Sequence, residues 1–397
     1  MNKIFLILVI LSVKSYGQNE LPLCVSKIDS TLKLTGSFSH DIFNDRIVWV
    51  GRNENKEYDI YLWEAHSNTV KNITSKLVEK TKYALSPLLR ENSVLMLSGP
   101  DFVLSQDIKN NQDKSDILEY KADSIVNLTA KHDFEEIAIF DNRDAYMVAD
   151  GKNIAWIGGR YKSDIKLLNG DSIRNITHNP TVRSIFRNLK MNGEQLIWQE
   201  VDYNNEPYYE HSLPTYVYWY NGKEVIPLNP PNTTEGRARN CGIVEDQAIW
   251  LVHGSGTNSG IYVSNGIKTT QILHTNSTSI RAKNTLNKFL FVCKDSVGSH
   301  SLFLFDKEGL INITSSKNRI IDFAISDNHI VWSEPIEVKG FKKTYQLYVY
   351  DGNDISAISN TKINQSHYRL KAHKNMCSWE YKGDIYMTHL NKVIEPK

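Results

Sequence analysis

The sequence predicts an all-β protein, a propeller of four-stranded antiparallel blades, and three observations predict it. A short apolar strand ending in an aromatic recurs along the chain, a second aromatic strand follows each copy, and Asn-Gly or Asp-Gly turns punctuate them. Runs this short and this rich in β-branched and aromatic residues read as strands rather than helices. Self-similarity at a fixed period then sets the architecture.

The first half of the repeat reads Ile47-Val48-Trp49, Ile154-Ala155-Trp156, Leu196-Ile197-Trp198, Ala248-Ile249-Trp250, Phe289-Leu290-Phe291, Ile330-Val331-Trp332 and Met376-Cys377-Ser378-Trp379. Val94-Leu95-Met96-Leu97 fills the same slot without the aromatic. The second half includes Asp59-Ile60-Tyr61-Leu62-Trp63, Asp116-Ile117-Leu118-Glu119-Tyr120, Asp164-Ile165-Lys166-Leu167-Leu168 and Tyr216-Val217-Tyr218-Trp219-Tyr220. It continues through Gly260-Ile261-Tyr262-Val263, Ser301-Leu302-Phe303, Gln346-Leu347-Tyr348 and Asp384-Ile385-Tyr386. Four copies end alike, at Asn72-Ile73-Thr74, Asn127-Leu128-Thr129, Asn175-Ile176-Thr177 and Asn312-Ile313-Thr314.

Asp150-Gly151 and Asn192-Gly193 precede the tryptophan strand, while Asn169-Gly170, Asn221-Gly222, Asn265-Gly266 and Asp351-Gly352 follow the aromatic strand. Such pairs suit type I′ hairpins, whose two central residues both need positive φ. Each unit is therefore a four-stranded meander whose middle strands are apolar on both faces. A radial array of stacked sheets explains that pattern. Eight copies are counted, with seven blades as the alternative because the second copy is weak. Thr31-Leu32-Lys33-Leu34-Thr35 resembles an orphan outer strand able to complete the last blade.

Ahead of the repeats, Met1-Asn2-Lys3, the apolar run Ile4 to Val13 and Ser15-Tyr16-Gly17 make a secretory signal pattern with cleavage before Gln18. The expected organisation is a signal peptide over 1–17 and one propeller domain over 18–397, exported to the periplasm or beyond, without a membrane span. Lys plus Arg is 46 and Asp plus Glu is 45, which argues against a generally basic nucleic-acid binder. Hydrophobic residues at 41% exclude wholesale disorder. Cys24 with Cys377, and Cys241 with Cys293, fall where bridges are conceivable, although buried thiols explain all four.

The Ile-Val-Trp, Asp-Ile-Tyr-Leu and Asn-Ile-Thr wording resembles the exported TolB-like and WD40-like propeller repeats of bacteria, over essentially the whole mature chain. A narrower resemblance is to the propeller polysaccharide lyases and related oligosaccharide-modifying enzymes of marine Bacteroidetes, such as ulvan lyases. It implies an activity without a catalytic motif matched residue by residue.

Loop length chooses a face. Turns before the tryptophan strand and after the aromatic strand are short, whereas Gly99 to Ser115, Glu200 to Pro214 and Ser333 to Lys343 are long and lie on the other side, where sites are usually built. Counting nine back from each aromatic gives His40, Met147, Leu189, Cys241, Ala282, Phe323 and Leu370, a mostly apolar register expected to pack between blades. Positions eight and ten back, including Asp41, Tyr146, Lys190, Arg281, Lys283, Asp322, Arg369 and Lys371, are expected on the channel face. Arg183, Arg187, Arg237 and Arg239 lie at the entrances to these strands. The functional reading is an electropositive funnel for an anionic, uronate or sulfated glycan, with Tyr208 and Tyr209 adding stacking surface. The plainer reading is that these cations pair with Asp41, Asp144 and Asp322.

The leading expectation is a carbon–oxygen lyase eliminating across C4–C5 of a uronate, by cleavage or dehydration, with base and acid drawn from Tyr146, His178, His211 and His253. Neither a cofactor nor a metal is required, and a monomer is expected. A glycoside hydrolase would need the pair Asp41 and Asp322. The non-enzymatic alternative is a TolB-like propeller that binds glycan or protein partners.

Overall fold

The computed structural model describes residues 22–32, 34–55, 57–75, 77, 83–99, 116–129, 147–158, 164–170, 172–177, 184–202, 215–228, 237–253, 259–275, 281–285, 287–294, 299–336, 344–358, 368–390 and 394–396. The strands form eight antiparallel blades around an axis. Blade 1 runs Gly36–Phe43, Arg46–Arg52, Tyr58–Glu64 and Thr69–Asn72, from the channel outwards. The inner strands of blades 2 to 8 are Tyr83–Leu89, Met147–Asp150, Ser184–Asn192, Arg237–Val244, Arg281–Thr285, Asp322–Ile325 and Tyr368–His373. Blades 4 and 5 also touch through a single parallel bridge, Thr215 to Arg237.

The core decides the blade number. Among the described residues eight hydrophobic clusters are present, and each is made by two neighbouring blades. Ala155, Ile157 and Leu167 of blade 3 meet Phe186, Leu189 and Trp198 of blade 4, for example, and the weak second copy supplies both of its seams. Six blades reinforce this with a cross-strand pair in which the second-strand aromatic stacks on a third-strand ring. Trp49 lies 5.8 Å from Tyr61, Trp198 5.9 Å from Tyr218, Trp250 5.9 Å from Tyr262 and Phe291 5.3 Å from Phe303. Trp332 on Tyr348 at 5.8 Å and Trp379 on Tyr386 at 6.0 Å complete the set. Offset pairs at this separation add to the area they bury.

The recurring Asn-Ile-Thr has a hydrogen-bonding reason. In blade 1 the Thr74 hydroxyl accepts from Ile60 N at 3.0 Å and donates to Asp59 at 2.8 Å, while Asn72 Oδ1 accepts from Thr74 N at 3.0 Å. Thr129 and Thr177 accept from Ile117 N at 3.1 Å and Ile165 N at 2.8 Å in the same way. A side-chain hydroxyl thus continues the ladder where the outer strand leaves the sheet, sparing a buried N–H.

Three details differ from expectation. In the Asp150-Gly151 and Asn192-Gly193 turns only the glycine has positive φ, and it is the first loop residue, so these are II′-like; among the described residues the I′ pattern falls at Asn44-Asp45, Ala122-Asp123 and Lys382-Gly383. The ring is closed by Leu23–Cys24, which pairs with Met387 and Tyr386 as the outer strand of blade 8, and not by Thr31–Thr35, where Ser30–Leu32 is a 3-10 turn. Ser26 supports the closure by accepting from Ile385 N at 3.1 Å and donating to Asp384 at 3.2 Å. In keeping with the plain reading, all four cysteines are free thiols, with Cys241, Cys293 and Cys377 buried and Cys24 half-buried, and desolvation pushes Cys241 up to about 12. The strand Ile394–Pro396 adds a fifth strand to blade 7.

Trp250 is fully buried in the seam of blades 4 and 5, whereas Ile267 at a hairpin tip is 94% exposed. Trp250→Ala should therefore cost about 3–5 kcal/mol in urea unfolding, and Ile267→Ala no more than about 0.5 kcal/mol.

Candidate functional site

The residue nine before each aromatic lies where the register places it. His40, Met147, Ala282 and Phe323 sit directly opposite their aromatics. Leu189, Cys241 and Leu370 occupy bulges opposite theirs. The bulges in blades 1, 4 and 8 carry positive φ at Ser39, Asn188 and Arg369. Bulges of this kind re-aim the flanking side chains.

Those flanking side chains reach the next blade. Lys283 of blade 6 lies 3.0 Å from Asp322 of blade 7 and donates to the Leu370 carbonyl of blade 8 at 2.9 Å. The other Asp322 oxygen accepts from Leu370 N at 2.8 Å. Lys371 of blade 8 stands 3.8 Å from Asp41 of blade 1, whose second oxygen accepts from Leu89 N of blade 2 at 2.9 Å. Arg281 donates to the carbonyls of Ile320 and Ile321 and lies over the Phe323 ring at 5.7 Å. Arg369 clasps Glu380 through both carboxylate oxygens, at 3.0 and 3.2 Å. Burial draws Lys283 below its ordinary value, with Asp322 opposing, and lowers Arg281 by the same cause.

The channel opens into a cavity of about 1050 Å³ at the end formed by the tight inner hairpins. Its wall mixes Asp41, Glu119, Asp150 and Asp327 with Arg90, Lys190 and Lys288, beside His373. Loop length points to the opposite face, whose long loops lie largely outside the described residues; at the described end, polar side chains of one hairpin tip bind backbone carbonyls of the next. Arg46 donates to the Arg90 and Glu91 carbonyls at 2.5 and 2.6 Å, and Arg90 donates to the Gly151 carbonyl. Asn153 reaches the Gly193 carbonyl at 3.1 Å, and Asn192 reaches that of Glu245 at 3.2 Å. Lys288 donates to the Asp327 carbonyl, and Asn44 N donates to His373 Nδ1 at 3.2 Å. Arg46, Arg90, Lys288 and His373 were missed from sequence, although each lies in or beside a tight turn.

Of the expected site, Arg281 and Arg369 are engaged as described, and Lys190 lines the cavity. Arg187 is in the inner strand of blade 4, opposite Gln199. In backbone register Arg237 is opposite His253, and Arg239 opposite Leu251, at the long-loop end of blade 5. Tyr146, His178, Arg183, Tyr208, Tyr209 and His211 lie outside the described residues, as do 1–17. Among the described residues no group of three His, Cys, Asp or Glu side chains could hold a metal, and no helix is long and apolar enough to cross a membrane.

The class these features define is an all-β, eight-bladed propeller with a charge-mixed channel. No family model and no curated protein matches the sequence. Among solved structures, the computationally designed Ika8 protein is similar at TM-score 0.53 and 9% identity, covering 90% of this chain and 98% of that one. The propeller domain of the trilobed protease from Pyrococcus furiosus gives 0.49 at 12% identity, covering 82% and 98%. Puromycin hydrolase gives 0.46 at 11%, covering 87% of this chain and 56% of that chain. The chain thus spans about half the length of that hydrolase, and 52% of an acylaminoacyl peptidase. At these identities the likeness concerns the fold.

The expectation of a uronate lyase is corrected. The similar structures named above are a designed protein, a protease's propeller domain, a peptidase and a hydrolase, and none of these is a polysaccharide lyase such as those acting on ulvan. Among the described cations of the channel, Lys283, Lys371 and Arg369 each face a carboxylate. Asp322→Ala should cost about 1–3 kcal/mol in urea unfolding, because it strands both Lys283 and Leu370 N, and Asp322→Asn should cost less by keeping an acceptor.

Proposed function

We propose that this chain is a non-enzymatic, TolB-like binding propeller whose channel mouth receives a segment of a protein partner. The observation that carries this reading is the charge-mixed mouth. A polyanion would be repelled by Asp41, Asp150 and Asp327 as much as drawn by Lys190 and Lys288, whereas a polypeptide brings donors, acceptors and both signs of charge. The cavity volume of about 1050 Å³ is at the upper end of ligand pockets, large enough for several residues of extended chain. Asp41 and Asp322 are tied into separate seams by a lysine and a backbone N–H each, which speaks against a paired-carboxylate hydrolase. The signal pattern over 1–17 supports export, and mature protein from a secreting host should begin at Gln18 by N-terminal mass analysis.

Peptides selected from a random display library on the intact protein test the reading. Lys152 and Glu91 are exposed on the mouth. The double reversal Lys152→Glu with Glu91→Lys should weaken the selected peptides about tenfold or more while leaving the melting temperature unchanged. Peptides whose affinity ignores both reversals and a filling Ala149→Trp change would place binding elsewhere and sink the proposal.

A further inference from the structure

Blade 1 breaks the apolar register that blades 3 to 8 keep. Where they place Met147, Leu189, Cys241, Ala282, Phe323 and Leu370, it places His40, whose side chain is 0% exposed. Neither ring nitrogen makes a hydrogen bond among the described residues, and Nδ1 stands 3.5 Å from Glu380 Oε1 of blade 8. That carboxylate is already committed: it is clasped by Arg369 and accepts from Ser39 N at 2.9 Å. Lys371 and Asp41 are the other charges facing His40, and they face each other.

A second histidine spans the same seam at the mouth. His373 of blade 8 packs on Phe43 of blade 1, ring centroids 4.3 Å apart, and its Nδ1 accepts from Asn44 N at 3.2 Å. An imidazolium has no lone pair left to accept that bond. Asp327, Lys374, Asp41 and Asp45 are the charges around it.

We propose that the seam between blades 8 and 1 is an acid-sensitive latch, held shut by His40 and His373 only in their neutral forms. It is also the seam where Leu23–Cys24 closes the ring, so the join completed last in space is the one tied to proton concentration. Burial lowers both histidines below their ordinary value. The folded state then binds fewer protons than the unfolded chain, so seam stability is lost as pH falls through about 6.5. This inference concerns opening of the ring and stands apart from what the mouth binds.

Amide exchange of the intact protein at pH 7.5 and 5.5, corrected for intrinsic rates, tests it. Protection of Gly36–Phe43 and Tyr368–His373 should fall about tenfold or more in acid, with Ser184–Asn192 and Arg237–Val244 unchanged. His40→Leu, the residue used in blades 4 and 8, should remove most of the response. Should that variant fail to fold, His373→Gln, which keeps an acceptor and does not titrate, should reduce the response on its own. Equal loss of protection in every blade, a gain in acid, or a full acid response retained in the folded variants would overturn the latch.

Discussion

A blade in this ring has two apolar faces and no core of its own, so it is stable only between neighbours. Among the described residues every hydrophobic cluster belongs to a seam, and every tryptophan anchor is buried against the preceding sheet of the ring as well as its own. Stability is thus shared around the circle as nearest-neighbour terms, as in other repeat architectures. The constraint added by closure is that there are no end blades. Each seam must be good enough to hold without a capping unit.

The charged layer at the channel refines what the apolar layer begins. Hydrophobic contact is non-directional and would tolerate a sheet sliding against its neighbour. Lys283, Asp322 and Leu370 N, or Lys371, Asp41 and Leu89 N, are satisfied only at one relative height of adjacent inner strands. Half-buried ion pairs contribute little net energy once desolvation is counted, and a role in alignment fits them better than a role in bulk stability. The same pairing removes most of the long-range field that a ring of isolated cations would project from the channel.

Periodic features were legible in the sequence. The tryptophan anchors, the nine-residue offset to the inner strand and the Asn-Ile-Thr endings all repeat, and repetition exposes a pattern that a single copy would hide. What did not repeat was hidden. Leu23–Cys24 is a two-residue strand without the repeat wording, and only its pairing with Met387 and Tyr386 reveals it. The fate of the cations was equally opaque, since Lys283 and Asp322 are 39 positions apart and Arg90 meets the carbonyl of Gly151, 61 positions on. Composition counts charges but does not say which carboxylate or carbonyl the next blade will present.

Joining the beginning of the chain to its end also orders events in time. The hydrogen bond from Ile385 N to Ser26 links residues 359 positions apart, and Leu23–Cys24 has no partner until the last blade exists. Loop-closure entropy grows only slowly with length, so the join is thermodynamically affordable, but it is kinetically late. While the chain is being made, the first blade presents Trp49 and Ile47 to solvent with no neighbour on that side. Such a nascent chain carries an unpaired apolar flank until Met376, Ile385 and Met387 of the last blade arrive to cover it.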